Sequence, residues 1–305
     1  MGDLAPSAAA LGRATALAGP AATVREIRAL PGGTHAHTYL IRTANPAFEC
    51  ILREFPPGDQ APANEARVLP ILAGLDGLVP RLLASGAGEQ APRPGGEPGR
   101  GGWTLISRLP GTADIIPVRP AAWAEQLGQA LARIHAVPRH SLGGLRPAWD
   151  GSGWDGAGPV LALHGQAAGL VSARWEALAS AQAVLTHRDF WSGNTLWQDG
   201  ALTGVVDWSG GVLGPRGIDV SWCRLDLYLL YGEQIAAAFT DSYQRASKSV
   251  LADLRYWDLW SVAYSAASVE SWEPNYRDLG RTDLTARELR ARHTAWTRHL
   301  IQALT

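Results

Sequence analysis

Short apolar runs separated by turn-forming residues dominate the first hundred residues, which is typical of an antiparallel sheet. Strands are predicted over residues 24–30, 38–42, 49–55 and 103–108. The spacing of Val68, Leu69 and Leu72 predicts one helix in this region. Residues 87–102 are nearly all Gly, Pro and polar residues, which favours a loop. The N-terminal part is therefore predicted to be a small sheet with one helix.

Helical periodicity dominates the chain after residue 120. Residues 121–136 place Trp123, Leu127 and Ile134 on one face, and Pro138 ends this helix. Residues 225–278 also have a helical pattern. Because a length of 305 residues favours about two domains, the pattern predicts an α+β protein with a larger, mainly helical C-terminal part.

A polar segment interrupts the apolar pattern at residues 187–194, HRDFWSGN. Two short strands follow it, over residues 195–197 and 202–206, with the hairpin signal Asp199-Gly200 between them and Asp207 directly after. A hairpin folds the chain back, so Asn194 and Asp207 can meet around one metal ion. The alternative is a surface hairpin whose Asp and Asn residues only form turns.

These polar residues have the chemistry and the spacing that phosphoryl transfer requires. The reaction needs a carboxylate beside the attacking hydroxyl, together with oxygen ligands that hold Mg²⁺ against the nucleotide phosphates. Asp189 is the predicted catalytic base, and Asn194 and Asp207 are the predicted metal ligands. The predicted activity is transfer of a phosphoryl group.

Composition excludes several other classes of protein. A net charge of −1 gives no electrostatic case for nucleic acid or an acidic membrane, and no apolar stretch is long enough to span a bilayer. The single lysine, Lys248, excludes a Walker-type phosphate loop. Cys50 and Cys223 are expected to be buried and reduced, and a cytoplasmic protein is expected. His35 and His37 are expected to be loop residues rather than metal ligands.

The motifs HRDFWSGN, VVDW and GPRGIDVSW together resemble the aminoglycoside phosphotransferase family, the small-molecule relatives of the eukaryotic protein kinases. Arg188 stands where members usually have a small residue, and Trp208 follows Asp207 as in the small-molecule branch. The resemblance implies a bilobal, protein-kinase-like fold. It divides the chain into a nucleotide-binding lobe, residues 1–108, and a catalytic and substrate-binding lobe, residues 109–305.

The resemblance also implies a nucleotide site in the first lobe. Arg53 is expected to hold phosphates and Glu65 to orient Arg53; a solvated strand charge and a helix-dipole carboxylate are the alternatives. The remaining residues expected to bind nucleotide are Gly32, Gly33 and Thr34 of a turn, with Ile106 and Arg108 at the end of a strand before the hinge. His187 and Asp219 are expected to brace the catalytic loop, and His135 to be structural.

The acceptor site is the part that the sequence predicts least. Its candidate residues are Asp226, Trp260, Tyr264, Glu270 and Trp272. Carboxylates would suit a cationic aminoglycoside, but basic residues are interspersed among them, and solvated helix faces account for most of these charges. Aromatic residues could form an apolar pocket, although at helical spacing they are more often core.

The function predicted from these observations is an ATP- or GTP-dependent, Mg²⁺-requiring kinase that phosphorylates a hydroxyl of a small molecule, first of all an antibiotic such as an aminoglycoside. A housekeeping kinase for an amino alcohol, a sugar or a macrolide-like acceptor is the alternative. A nucleotide-binding regulator without turnover is a further one. A protein acceptor fits poorly, because only eleven residues separate Asp207 from Asp219. A monomer or homodimer is expected, with no nucleic-acid or membrane partner.

Overall fold

The computed structural model describes residues 5–30, 35–88, 101–149 and 162–304. Gly32, Gly33 and Thr34 lie outside these residues, as does most of the loop predicted over residues 87–102. The chain forms two compact units. The first unit comprises residues 1–109 with residues 207–210, and the second comprises residues 110–206 with residues 211–305. The first unit thus ends one residue beyond the expected lobe and includes Asp207.

An antiparallel five-stranded sheet with order β1-β2-β3-β5-β4 forms the first unit. Its elements are helix α1 (Ala8–Ala18), strands β1 (Thr23–Ala29), β2 (His37–Ala44) and β3 (Phe48–Glu54), helix α2 (Ala61–Ile71), and strands β4 (Leu82–Gly86) and β5 (Trp103–Ser107). A short 3₁₀ helix, Trp208–Gly210, also belongs to this unit. The four predicted strands and the predicted helix are all present.

Two elements of the first unit are not part of the sequence prediction, α1 and β4. Helix α1 begins at Ser7, whose hydroxyl accepts from the Ala10 N–H, and it presents the small buried residues Ala10 and Ala14 to the sheet. Side chains of the sheet complete this core: Tyr39, Ile41, Cys50, Leu52, Trp103 and Leu105. An alanine-rich helix lacks the large apolar stripe by which amphipathic helices are recognised.

Helices predominate in the second unit. They are α3 (Pro120–His135), α4 (Ala162–Ala179), α5 (Gly217–Tyr231), α6 (Glu233–Ser247), α7 (Leu254–Ser265), α8 (Glu273–Asp278) and α9 (Ala286–Gln302). The strands are β6 (Thr112–Ala113), β7 (Ala183–Thr186), β8 (Thr195–Gln198), β9 (Ala201–Val205) and β10 (Val212–Pro215). The predicted α+β class, with an N-terminal antiparallel sheet and a helical C-terminal part, is confirmed.

Two small sheets carry the predicted catalytic segment. Strand β7 pairs antiparallel with β10, and β8 pairs with both β6 and β9. The predicted hairpin turns at Asp199 and Gly200, whose φ angles of +54° and +76° fit the primed turns that two-residue hairpins prefer. The polar segment at 187–194 therefore begins directly after β7 and ends where β8 begins.

Helices α3 and α6 pack closely enough to require a glycine. A Cβ atom at Gly128 of α3 would lie 2.5 Å from the carbonyl oxygen of Phe239 in α6. The predicted apolar face of α3 is buried, including Trp123, Leu127 and Ile134. Cys50 and Cys223 are buried and carry free thiols, as predicted. Within the described ranges, no helix has both the length and the apolar character needed to cross a membrane.

Candidate active site

A buried charge network in the first unit centres on Arg53 of β3. The Arg53 guanidinium donates from Nη1 to the Glu65 carboxylate of α2 and from Nη2 to Asp207 Oδ1, the latter at 2.6 Å. The second Glu65 oxygen accepts from the Thr104 hydroxyl of β5 at 2.6 Å. One guanidinium therefore bridges two carboxylates that are far apart in the sequence.

Burial makes this network electrostatically strong. The side chains of Arg53 and Glu65 are 8% and 1% exposed, whereas that of Asp207 is 32% exposed. Burial opposes the charged form of Arg53, but Glu65 and Asp207 outweigh it and raise the Arg53 pKa, so the guanidinium stays charged. Burial also raises the pKa of Glu65, against the opposing effects of Arg53 and Thr104.

Asp207 is held in a strained backbone conformation. Its φ of +65° lies in the left-handed region that non-glycine residues rarely adopt. Its carboxylate Oδ1 also accepts from the Ser209 hydroxyl at 2.7 Å, and the Ser209 carbonyl accepts from the Asn64 amide of α2 at 2.9 Å. These contacts fix the direction of the carboxylate at the point where β9 has ended.

Ile106 and Arg108, two residues expected to bind nucleotide, lie at the end of β5. Ile106 is 4% exposed and lies in register with Ile51 on one side and Leu82 on the other. Arg108 donates from Nη1 to both oxygens of Glu49, at 3.0 and 2.9 Å. The Arg108 side chain thus forms an ion pair on the sheet. His35 Nε2 lies 2.7 Å from Asp59 Oδ2, and His37 is the first residue of β2, so the loop placement expected for His37 is wrong.

In the second unit, the exposed Asp189 carboxylate is fixed by two side-chain donors. Asn194 Nδ2 donates to Asp189 Oδ2 at 3.0 Å and to the Asp189 carbonyl at 2.9 Å. The Trp222 indole Nε1–H of α5 donates to Asp189 Oδ1 at 3.0 Å. With its amide nitrogen turned toward Asp189, Asn194 keeps Oδ1 as its acceptor atom. Asp189 is therefore oriented and still accessible to a substrate.

The Asp219 carboxylate of α5 binds the backbone of the first two residues of the 187–194 segment. Its two carboxylate oxygens accept from the His187 N–H at 2.7 Å and the Arg188 N–H at 2.8 Å. Asp219 is fully buried, and although burial opposes its charged form, His135 and His187 lower its pKa. The Asp219 carboxylate therefore stays ionised and accepts both backbone hydrogen bonds. Arg188 between them has a φ of +73°, a second strained position.

His187 is a hydrogen-bonded part of the loop scaffold. Its Nδ1 accepts from the Asp189 N–H at 3.3 Å, so Nε2 carries the proton and donates to the Val206 carbonyl at 2.9 Å. The Val206 N–H in turn donates to the Asn194 carbonyl at 2.9 Å. These bonds tie both ends of the catalytic loop to Val206, and Asp207 is the next residue in the chain.

The two acidic acceptor candidates already have partners. Asp226 is buried and accepts from the Ser192 N–H at 2.9 Å and from the Tyr276 hydroxyl at 2.8 Å. Glu270 forms an ion pair with Arg290. Asp226 thus fixes the backbone of the 187–194 segment at Ser192. The three aromatic candidates lie together: the Trp260 and Tyr264 rings stack at 5.2 Å, and Trp272 is 5.3 Å from Trp222.

Trp222 is the site residue that the sequence analysis missed. A tryptophan within a helix has an ordinary core interpretation, and the contact of Trp222 with Asp189 spans 33 residues. Thr104 and Asn64 are missed for the same reason, since each acts through a partner on another element. The only available signal for Trp222 is its place three residues after Asp219 in the GPRGIDVSW motif.

The predicted metal ligands fit Mg²⁺ by their chemistry. Asn194 and Asp207 offer amide and carboxylate oxygens, which hard divalent cations prefer. The described part of the chain contains no group of three or more His, Cys, Asp or Glu side chains that could hold a metal ion. Mg²⁺ is commonly bound through one or two protein ligands, with water and phosphate oxygens completing its shell.

A family model described as the Phosphotransferase enzyme family (APH) matches residues 26–260, which include Arg53, Glu65, Asp189, Asn194 and Asp207. The chain belongs to this family. Its members transfer phosphoryl groups, so the chain is a phosphotransferase acting on a hydroxyl of a small molecule. No curated protein matches it significantly.

Solved structures of aminoglycoside and macrolide phosphotransferases share the fold. One is a thermostable mutant of aminoglycoside phosphotransferase APH(4)-Ia in a ternary complex with ADP and hygromycin B. The superposition covers 90% of this chain and 94% of that chain, with 18% sequence identity and a TM-score of 0.61. Another is aminoglycoside-3'-phosphotransferase of type VIII, at 17% identity, 82% and 97% coverage and a TM-score of 0.54. A third is macrolide 2'-phosphotransferase MphH from Brachybacterium faecium, at 18% identity, 87% and 91% coverage and a TM-score of 0.53.

Proposed function

We propose that this APH-family protein phosphorylates a hydroxyl of an antibiotic, with ATP or GTP as donor and Mg²⁺ as cofactor, and with Asp189 as the catalytic base. The observation that carries the proposal is the Asp189 carboxylate itself. It is exposed, and two donors, Asn194 Nδ2 and Trp222 Nε1–H, hold its two oxygens at 3.0 Å each. An exposed carboxylate that two side chains hold in one orientation is suited to accept a hydrogen bond from a substrate hydroxyl.

Asp189 orients the acceptor hydroxyl and receives its proton. In a loose phosphoryl-transfer transition state the proton leaves late, so the main task of the carboxylate is to direct the oxygen lone pair toward phosphorus. The backbone grip of Asp219 on His187 and Arg188 supports this task, because it fixes the loop that carries Asp189. His187 acts only as a scaffold, since its two ring nitrogens are engaged with the backbone of Asp189 and Val206.

Arg53 and the metal ligands manage the phosphate charge. Bound Mg²⁺ would neutralise charge on the donor phosphates and polarise the transferred group. Asn194 and Asp207 are proposed to hold it with their oxygen atoms. The Arg53 guanidinium, kept in place by Glu65, is proposed to hold phosphate oxygens through its planar fork. Gly32, Gly33 and Thr34 are proposed to add backbone donors, and the end of β5 at Ile106 and Arg108 to hold the nucleobase.

An antibiotic acceptor is supported by the family's fold neighbours, which include aminoglycoside and macrolide phosphotransferases. A housekeeping kinase for a sugar or an amino alcohol is the second candidate, and the aromatic residues near Asp189 favour a ring-shaped acceptor within either class. The intact set of base and metal ligands opposes a regulator without turnover. Two free buried cysteines and the need for nucleotide support a cytoplasmic setting.

The test is nucleotide consumption by purified protein with Mg²⁺ across aminoglycosides, macrolides, peptide antibiotics, sugars and amino alcohols. Turnover on one scaffold should fall at least about 10²-fold in Asp189→Asn, which keeps the size of the side chain but removes its charge. Asp199→Asn, on the exposed hairpin turn, is the matched control and should keep full activity. Turnover that survives in Asp189→Asn would refute the assigned base, and nucleotide binding without any turnover would favour a regulator.

A further inference from the structure

Four aromatic side chains of the second unit form one connected group, here called the aromatic cluster: Trp222, Trp260, Tyr264 and Trp272. Trp222 meets Tyr264 edge to face with ring centroids 6.0 Å apart, and it meets Trp272 in the same way at 5.3 Å. Trp260 stacks on Tyr264 at 5.2 Å with an interplanar angle of 16°. Aromatic pairs at these distances stabilise one another, so the group is a defined surface.

The cluster is adjacent to the proposed catalytic base. The Trp222 indole that contacts Tyr264 and Trp272 also donates its N–H to Asp189 Oδ1 at 3.0 Å. An acceptor whose hydroxyl reaches Asp189 therefore brings its neighbouring atoms to the same indole.

Exposure distinguishes this cluster from ordinary core. Tyr264 is 50% exposed, and Trp222 and Trp272 are partly exposed, whereas Trp260 is only 4% exposed. A core group would be buried throughout. Trp260 thus acts as a buried base for Tyr264, and the other three rings remain accessible. Large exposed aromatic surfaces beside a reactive group are typical of ligand sites.

Four carboxylates of the same helical region already have partners within the protein. In the described residues, each of the following acidic side chains has an internal partner: Asp226 with Ser192 and Tyr276, Asp258 with Arg224, Glu270 with Arg290, and Glu273 with Arg277 and the Ala286 N–H. Recognition of several ammonium groups needs carboxylates that are free to pair. The side chains that adjoin Asp189 through Trp222 are therefore aromatic, and these four carboxylates are engaged with other groups.

We propose that the aromatic cluster is the acceptor-binding surface and that it selects acceptors by an uncharged ring face, such as the C–H face of a sugar or a fused ring, rather than by multiple positive charges. This inference rests on the proposed function, because it takes Asp189 as the base. Trp222, Tyr264 and Trp272 would contact the acceptor ring, and Trp260 would support Tyr264. An antibiotic with a neutral glycosidic ring fits this surface better than a polycationic aminoglycoside.

Acceptor binding is the direct test, measured calorimetrically in the presence of a non-hydrolysable nucleotide and Mg²⁺. The probes are macrolides and neutral glycosides on one side and polycationic aminoglycosides on the other. Tyr264→Ala should weaken binding of the preferred acceptor at least about 10-fold while leaving nucleotide affinity within about twofold. Tyr256→Ala, on the same helix but outside the cluster, is the matched control and should leave both affinities unchanged.

Ionic strength gives a second readout that does not depend on any substitution. Pairing of a multiply charged acceptor with protein charges is screened by salt, whereas ring stacking is not. The acceptor dissociation constant should change less than about threefold between 50 and 300 mM salt. A tenfold loss of affinity over that range, or equal binding by Tyr264→Ala and Tyr256→Ala, would overturn the proposal, as would a panel in which only polycations bind.

Acceptor binding through the aromatic cluster and phosphoryl transfer can be tested independently of each other. Ring acceptors that bind through Tyr264 but are never phosphorylated would refute the proposed function and leave the binding surface intact. A polycation that is phosphorylated with the same efficiency by Tyr264→Ala and the wild-type protein would refute the binding surface and leave the phosphotransferase assignment intact. A panel in which no acceptor binds, with nucleotide still bound, would count against the surface.

Discussion

Arg53 is the residue on which the buried charge network of the first unit depends. Its guanidinium bridges Glu65 and Asp207. Because Arg53 and Glu65 are both buried, water could not solvate either charge if the other side chain were removed. Removing one member of a buried ion pair typically costs about 3–5 kcal/mol, because the remaining charge stays uncompensated. The stability of the first unit should therefore depend on Arg53 independently of the phosphate binding proposed for it.

Replacement of Arg53 by methionine should lower the free energy of unfolding by about 3 kcal/mol or more, as measured by urea denaturation. The double variant Arg53→Met with Glu65→Gln should recover part of this loss, because it removes the uncompensated buried charge. Arg28→Met, which breaks an exposed ion pair with Glu26, is the control and should cost less than about 1 kcal/mol. Equal losses in the Arg53 and Arg28 variants would show that the buried network contributes little.

Trp222 permits a residue-scale test of how the base is oriented. Phenylalanine at this position keeps an aromatic ring but removes the indole N–H that donates to Asp189 at 3.0 Å. Trp222→Phe should therefore lower kcat about 5- to 50-fold through loss of base orientation, while the KM for nucleotide stays within about twofold. Steady-state kinetics with both substrates give this comparison, and Trp175→Phe serves as a tryptophan control. An unchanged kcat would mean that Asn194 alone orients the carboxylate.

At the scale of elements, local patterns account for most of what the sequence predicts. The hairpin around Asp199 and Gly200 needs only its own turn residues, and strands β1, β2, β3 and β5 need only their own apolar runs, so these elements are found. Helix α1 is missed because its buried residues are small alanines. The contact of Trp222 with Asp189 and that of Thr104 with Glu65 are missed because they join different elements, and no local pattern encodes them.

The packing of α3 against α6 gives a prediction about elements. Alanine normally stabilises a helix relative to glycine by up to about 1 kcal/mol, but a Cβ at position 128 would lie 2.5 Å and 2.8 Å from the backbone of Phe239 and Tyr243. Gly128→Ala should therefore destabilise the protein by about 1–3 kcal/mol in chemical denaturation, because the two helices must separate.

Gly169 of α4 provides the matched control, because a Cβ there would meet no atom within 4 Å. Gly169→Ala should leave stability unchanged or increase it by up to about 1 kcal/mol. If Gly128→Ala were as stable as Gly169→Ala, helices α3 and α6 would have enough freedom to adjust, and close packing would not explain the glycine.

At the scale of the whole molecule, global stability should depend on pH through two buried histidines. His164 of α4 and His293 of α9 share a hydrogen bond of 3.1 Å, and His293 Nε2 is 2.9 Å from the Ser265 hydroxyl of α7. Burial, together with His164 and Arg290, lowers the pKa of His293 to about 3, and burial also lowers the pKa of His164. Both rings are therefore neutral in the folded protein at neutral pH.

The direction of the pH effect follows from comparing this pKa with the ordinary value of about 6.5 in the unfolded chain. Below pH 6.5 the unfolded chain takes up a proton on His293 that the folded protein does not, so stability is full above pH 6.5 and is lost as the pH falls toward 3. The slope of the free energy of unfolding against pH approaches about 1.4 kcal/mol per pH unit for each such histidine.

Urea denaturation at several pH values between 5 and 7.5 measures this slope. In this pH range most carboxylates are already ionised, so their titration contributes little to the slope. His293→Gln should reduce the slope by about one proton, whereas His140→Gln, at an exposed position, should leave it unchanged. A slope that is identical in both variants would mean that the α4–α9 contact opens before the protein unfolds, and that the buried histidine pair does not contribute to global stability.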